Sequence, residues 1–296
     1  MPPGVSMRLE GSDEATREPS FTAMWHAWMR DAHATTHPSP VLADTRSVQL
    51  VPDATQQDVV TLMNGFSPPA ADALIFMAVI RFRLLADLLP EANQRGVRQL
   101  VILGAGLDTT VFSLPAWAHT WRVFEVDHPA TQEWKRQQIA NLDWQVPPNL
   151  VFAPCDFETQ TVLSALDAAG FDRSCPAVVS LFGVILYLTA EATKALFRDL
   201  ALLAPGSEVL MTYSPPPGGP DPAVEEVWDK SSPKVDDTGE SFIGHYTAAQ
   251  IERIIRDAGF QDVQHHHVDA LNATYFANRP DRLELHTIEQ ILTAIR

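Results

Sequence analysis

Two short runs in this chain join residue types and spacings suited to holding a small ligand. An apolar run, Leu100 to Leu103, stops at Gly104-Ala105-Gly106-Leu107-Asp108-Thr109, and a second, ending in Val123-Phe124, stops at the acids Glu125 and Asp127. Glycine has no Cβ and lets a backbone turn approach a ligand closely. A carboxylate one strand over is well placed to hold a pair of ribose hydroxyls. The two runs together read as a nucleoside cradle in which Gly104, Ala105, Gly106, Asp108, Glu125 and Asp127 are the candidate binding residues.

The cradle is not a dinucleotide fingerprint. Thr109 stands where GxGxxG has its third glycine, the one that permits close helix packing beneath a pyrophosphate. A third apolar run, 150–154, leads into Cys155-Asp156-Phe157, and a fourth closes on Phe182-Gly183. Glycines under a sugar and an amino-acid tail, an acid on the ribose, and Asp156 with Phe157 at a base suit an adenosine joined to an amino acid. S-adenosylmethionine has that constitution. Methyl transfer from a sulfonium is a displacement that depends chiefly on alignment. A carboxylate acceptor needs no base, whereas a hydroxyl acceptor wants one within hydrogen-bond reach. The candidates for that role are Tyr187, His245 and Tyr246. His265-His266-His267 invites a metal reading, but neighbours on a strand point to opposite faces and no third ligand accompanies His265 and His267. No metal is expected.

The elements that must position these groups follow from periodicity. Residues 1–19 read as a flexible leader, and 20–96 as a helical cap. Within the cap, Ser20 is an N-cap for a helix carrying Phe21, Met24, Trp25 and Trp28 on one face, and further helical pieces are expected at 41–50 and 56–64. Pro68 and Pro69 open a helix over 70–89, whose apolar face is interrupted by Arg81 and Arg83. From residue 97 the texture changes to short apolar runs alternating with helical segments, the signature of an α/β core with a parallel sheet. Strands are predicted at 99–103, 122–126, 150–154, 177–182, 208–213, 263–268 and 274–277, with helices at 109–114, 130–141, 160–169, 190–203 and 248–258. The proline- and acid-rich stretch 214–245 reads as a lid or substrate loop, and 283–295 as a final amphipathic helix. Ligand belongs at the carboxyl ends of the strands, where strand order reverses.

Charge narrows the partners. Lys+Arg 21 against Asp+Glu 37 gives a net charge of -16 with no basic block, so nucleic acid and anionic bilayers are disfavoured. Cys155 and Cys175 have no metal-ligand or redox spacing, which suits a reducing cytoplasm. The polar start has no secretory apolar core, and no stretch is apolar over a membrane span; a soluble cytoplasmic protein acting on a small molecule is expected.

The motifs resemble a known family. Leu103-Gly104-Ala105-Gly106-Leu107-Asp108-Thr109, then Glu125-Val126-Asp127-His128-Pro129 with Lys135, then Gly183-Val184-Ile185-Leu186-Tyr187-Leu188-Thr189 are similar to the leucine carboxyl methyltransferase family. The branch they resemble is that of bacterial S-adenosylmethionine-dependent O-methyltransferases of polyketide and related natural-product biosynthesis. The likeness spans roughly 20–281, with Arg81-Phe82-Arg83 and Leu271-Asn272-Ala273-Thr274-Tyr275-Phe276 included. It implies a class I methyltransferase fold, a Rossmann-like seven-stranded sheet whose last strand is antiparallel. It further implies that Gly104 and Gly106 line the methionine and ribose, that Asp127 binds the ribose hydroxyls, and that Asp156 and Phe157 contact the adenine. Arg81, or Arg83, would pair with the cofactor's carboxylate, a task suited to a bidentate guanidinium. Two positions depart from the family pattern: Phe182 replaces a glutamate, and Thr110 an arginine. The implied activity is methyl ester or ether formation on a small natural-product acid or phenol. Methylation of a peptide or protein C-terminus and a catalytically silent cofactor-binding scaffold are the alternatives, the last motivated by Phe182.

Overall fold

The structure, a computed structural model, describes residues 20–296 apart from 158, 239, 278, 280–283 and 287; the predicted leader 1–19 lies outside the described residues. Seven strands form one sheet: β1 (Gln99–Leu103), β2 (Arg122–Asp127), β3 (Leu150–Pro154), β4 (Val178–Leu181), β5 (Glu208–Tyr213), β6 (Asp262–His266) and β7 (Gln290–Ile295). Their order is β3-β2-β1-β4-β5-β7-β6. β1 to β5 pair in parallel, while β7 runs antiparallel between β5 and β6. The chain moves outward from β1 to β3 and returns on the other side at β4. The β1/β4 junction is therefore the switch point, and its carboxyl edge is the natural crevice for a ligand.

Helices cover both faces: α1 (Phe21–Thr36), α2 (Asp53–Met63), α3 (Pro68–Gln94), α4 (Thr110–Ser113), α5 (Pro129–Asn141), α6 (Val162–Ala168), α7 (Ala190–Leu200), α8 (Pro222–Asp236), α9 (Ala248–Ala258) and α10 (Val268–Leu271). Successive strand residues face opposite ways. Val101, Leu103, Phe124 and Val126 accordingly join Leu163, Phe197 and Ile255 of α6, α7 and α9 in one core, whereas Leu100, Ile102 and Val123 join Phe76, Ile80 and Leu89 of α3 in another. α1 starts where expected: the Ser20 side chain accepts from Ala23 N, and Met24, Trp25 and Met29 are buried. α3 extends past the predicted end at residue 89 and through Pro90, its last turns held by buried Leu89 and Ala92.

Four expectations need correction. The stretch 41–50 is helical only as a 3-10 turn at Ser47–Leu50. Residues 274–277 form no strand: Asn272–Phe276 is a π-helical turn. Both ends of the Asn272 amide bond the backbone of Leu285, at 2.6 and 3.1 Å, and the Phe276 ring packs edge-on against Phe76 at 5.0 Å. In the predicted helix at 283–295, residues 290–295 are instead the seventh strand, because Ile291, Leu292 and Ala294 fill the space between β5 and β6 and are buried on both faces; 283 and 287 lie outside the described residues. A short apolar run covered on both sides has no period that separates strand from helix. Finally, the presumed loop 214–245 contains the 15-residue α8. Pro222 at its first position and the Asp221 cap are helix-start signals, and Val224, Val227, Trp228, Ser231 and Val235 recur at helical spacing on its buried face. Among the described residues no helix is long and apolar enough to cross a membrane.

Candidate active site

The glycine turn after β1 has a shape that other residues would not take. Gly104 and Gly106 have φ of +63° and +45°, a region that disfavours side chains. A Cβ on Gly104 would overlap Val184 Cγ2. The turn is pinned to β2, since Gly104 N and Ala105 N both donate to Val126 O, at 2.9 and 3.2 Å. Asp127 fixes the rest: its Oδ2 accepts from Gly106 N at 2.5 Å and its Oδ1 from His128 N at 2.6 Å. Burial raises the Asp127 carboxyl pKa, against the pull of those two amides. Each carboxylate oxygen has a second lone pair for a further donor.

Below the turn lies a buried ion pair. Lys135 Nζ, on α5, stands 2.6 Å from Glu125 Oε2 and 2.6 Å from Asp108 O, tying α5 to β2 and to the glycine turn at once. Burial pushes the Glu125 carboxyl up to about 7 despite that cation.

Above it opens a cavity of about 750 Å³. Of the predicted residues, Arg81, Gly104, Ala105, Gly106, Asp108, Asp127, Phe157, Phe182 and Tyr187 line it. Glu125, Asp156, His245 and Tyr246 are not among its lining residues. Glu125 supports the turn from beneath. Asp156 accepts from Thr159 Oγ1 at 3.0 Å beside Phe157. The His245 ring packs edge-on against Trp228, with Nδ1 3.2 Å from Pro215 O, and the buried Tyr246 hydroxyl donates to Thr193 Oγ1 at 3.0 Å. Tyr187 alone of the three base candidates faces the cavity. Its hydroxyl lies 2.8 Å from Thr22 Oγ1, and burial drives its pKa above the usual phenol range.

Arg81 and Arg83 separate clearly. The Arg81 side chain is 5% exposed and lines the cavity, bonding Glu289 Oε2 through Nη1 at 3.2 Å and His26 Nδ1 through Nη2 at 3.0 Å. Arg83 is a surface residue paired with Asp87 one helical turn on. His26 and Glu289 carry no motif that marks them in the sequence. Burial, then Arg81 and Arg30, hold the His26 pKa well below its usual value, which leaves a neutral ring whose Nδ1 accepts from Arg81. The far end of the cavity is rich in aromatic and apolar side chains, with Trp25, Met77, Trp228, Phe242 and Ile288 from α1, α3, α8 and the segments beside them, and Ser231, Thr238 and Glu240 also line the cavity. Among the described residues, no group of three or more His, Cys, Asp or Glu is placed to hold a metal ion.

The sheet order, the antiparallel β7 and the glycine turn opposite an acid at the next strand end define a class I methyltransferase fold. The chain belongs to the leucine carboxyl methyltransferase family, whose profile matches residues 23–201. It is 31% identical over 206 residues to a Bacillus subtilis (strain 168) protein named "Putative S-adenosyl-L-methionine-dependent methyltransferase YktD", a match covering 68% of this chain and 66% of the relative. A Mycolicibacterium gilvum (strain PYR-GCK) protein named "Putative S-adenosyl-L-methionine-dependent methyltransferase" is 38% identical over 150 residues, 50% of this chain and 48% of the relative. The chain thus spans between about half and two thirds of the length of these relatives. Among solved structures, a Thermobifida fusca YX protein described as a "putative methyltransferase" superposes with a TM-score of 0.60 at 20% identity, covering 94% of this chain and 95% of that one. A DUF574-family protein of Streptomyces avermitilis MA-4680 gives 0.58 at 15%, covering 94% and 98%. These two likenesses speak to the fold.

Proposed function

We propose that the protein is an S-adenosylmethionine-dependent O-methyltransferase acting on a hydroxyl of a small, largely aromatic acceptor of the natural-product kind. The observation that carries this reading is a single cavity joining the strand-end cradle to an aromatic chamber. Its size lies within the range of small-molecule sites. Family membership and the relatives' names support the cofactor.

The residues fit that cofactor. The Asp127 oxygens have lone pairs for the ribose hydroxyls, the Gly104 and Gly106 turn admits the sugar and tail at close range, and Phe157 offers an apolar face for the base. Arg81 Nε is buried without a hydrogen-bond partner among the described residues and suits a carboxylate. When bound, S-adenosylmethionine supplies an electrophilic sulfonium methyl group. The chain's own contribution is to align the acceptor oxygen with that methyl and to exclude water with Trp25, Trp228 and Phe242. Tyr187, held as a neutral phenol by burial, orients the acceptor through its hydroxyl and is a poor base; the proton that the acceptor hydroxyl loses as the methyl group arrives passes to the carboxylate of Glu240, which lines the cavity near Tyr187.

A hydroxyl is favoured over a carboxylate by the charges lining the cavity. Among the described residues its Lys and Arg side chains are Arg30, already paired with Asp44, and Arg81, which in this reading the cofactor's own carboxylate occupies, so neither is left for an acceptor carboxylate. In this reading α8 forms the wall that selects the acceptor. The two free cysteines, one buried and one exposed, accord with a cytoplasmic setting. Incubation with methyl-labelled cofactor and a panel of phenols and carboxylic acids tests the reading. A base-stable labelled ether is expected; a base-labile ester would move the acceptor to a carboxylate.

A further inference from the structure

Resting on the cofactor reading above, we propose that Glu289 receives the ammonium group of the cofactor's amino-acid tail, taking over from the glutamate that the family carries where this chain has Phe182. The topology delivers it there. β7 is antiparallel to its neighbours and begins with Gln290 opposite Tyr213, the last residue of β5. The residue just before β7 therefore emerges at the carboxyl edge of the sheet, the edge on which the switch-point crevice opens, where residues leading into a parallel strand would emerge at the opposite edge.

The surroundings of Glu289 are those of a ligand group rather than of a packing residue. Its side chain is 6% exposed, lines the cavity, and meets Arg81 Nη1 at 3.2 Å. The Thr212 hydroxyl, which accepts from Gly183 N at 2.9 Å, donates to it. Gly183 makes room, since a Cβ there would lie 3.3 Å from Arg81 Nη1. Phe182 supplies no charge. Its ring lies 5.9 Å from the Arg81 guanidinium carbon and 5.5 Å from the Phe82 ring. An aromatic face now flanks the guanidinium at the position of the family's acid, and the negative charge enters from β7 instead.

The charge pattern selects the ligand. Arg81 and Glu289 form a buried pair in which the guanidinium is incompletely bonded: Nη1 and Nη2 have partners, and Nε has none among the described residues. A buried pair of this kind is stabilised only when further hydrogen bonds complete it. An amino-acid zwitterion does so, with its carboxylate on Arg81 and its ammonium on Glu289. Four charges then alternate in sign, each between two of opposite sign. A tail lacking the ammonium would bring its carboxylate to Arg81 with no second cation between that carboxylate and Glu289. With Phe182 beside Arg81, the acid of this site is Glu289.

Calorimetric titration of the full chain with S-adenosylhomocysteine and with its deaminated analogue, S-adenosyl-4-thiobutyrate, tests this. Wild-type protein is expected to bind the amine-bearing ligand at least about tenfold more tightly, the scale of one charged hydrogen bond. In Glu289→Gln the preference should fall to less than about threefold. It should return in the Phe182→Glu/Glu289→Gln double variant, which keeps an acid beside Arg81 and guards against a folding defect of the single variant. A preference that survives Glu289→Gln, or that wild-type protein never shows, overturns the assignment of Glu289 while leaving the cofactor reading in place. Failure of wild-type protein to bind either ligand overturns the cofactor reading itself, and this inference with it.

Discussion

Lys135 and Glu125, both 1% exposed, face each other at 2.6 Å directly beneath the glycine turn, and the same ammonium bonds the Asp108 carbonyl. The binding surface of the cradle thus rests on a buried ion pair that does not itself line the cavity. Removing one member of such a pair leaves the other charged and unpaired. Lys135→Met should destabilise the fold by roughly 3–5 kcal/mol when the carboxyl is ionised.

The loss should depend on pH in a defined direction. The Glu125 carboxyl titrates near 7 in the folded protein, against 4.5 for an unperturbed group. A raised folded pKa means that the stability gained from protonation is fully present below about 4.5 and disappears as pH rises through about 7. Denaturant unfolding of Lys135→Met should therefore show a smaller deficit at pH 6, where a neutral acid needs no cation, than at pH 8.5. Equal deficits at the two values would contradict the assignment.

Gly104→Ala places a methyl group against Val184 Cγ2 at a φ of +63°. A loss of about 1–3 kcal/mol is expected from overpacking and from the left-handed backbone. Val184→Ala in the same chain should restore the packing part and leave the backbone part. Chemical denaturation of the single and double variants separates the two.

Asp127→Ala should weaken binding of adenosine-containing ligands at least about tenfold, the loss of a charged hydrogen bond. Unchanged affinity in a calorimetric titration would remove the ribose role from Asp127.

At the other end of the cavity, Phe242 sits between Tyr187 and Trp228, with ring centroids 5.6 Å from each. Phe242→Ala should raise the KM for the acceptor several-fold and leave cofactor affinity within about twofold. A change confined to cofactor affinity would place the acceptor elsewhere.

How much was legible in the sequence follows the physics of each segment. β1 and β2 announce themselves because a short apolar run that stops abruptly at glycine or acid is the imprint of a buried strand ending at a ligand-binding edge. The resemblance in that region and the antiparallel last strand it implies both hold in the fold. β7 was hidden because Ile291, Leu292 and Ala294 are covered on both faces and carry no alternation. Glu289 directly precedes that strand, and neither its type nor its spacing in the sequence marks it as a ligand group. α8 was masked by its prolines, although Pro222 and Asp221 are helix-start signals when read by position rather than by composition. His245 and Tyr246 looked chemical by type, yet only the fold reveals that one packs against Trp228 and the other bonds Thr193. Arg81 and Arg83 are two residues apart and so leave α3 in different directions, which sends one into the cavity and the other to solvent.

In the proposed function the cradle of Gly104, Gly106 and Asp127 holds the nucleoside of a methyl donor. Calorimetric titration of the intact chain with S-adenosylmethionine and S-adenosylhomocysteine addresses it most directly. Saturable one-to-one binding of both is predicted; no binding of either would contradict it.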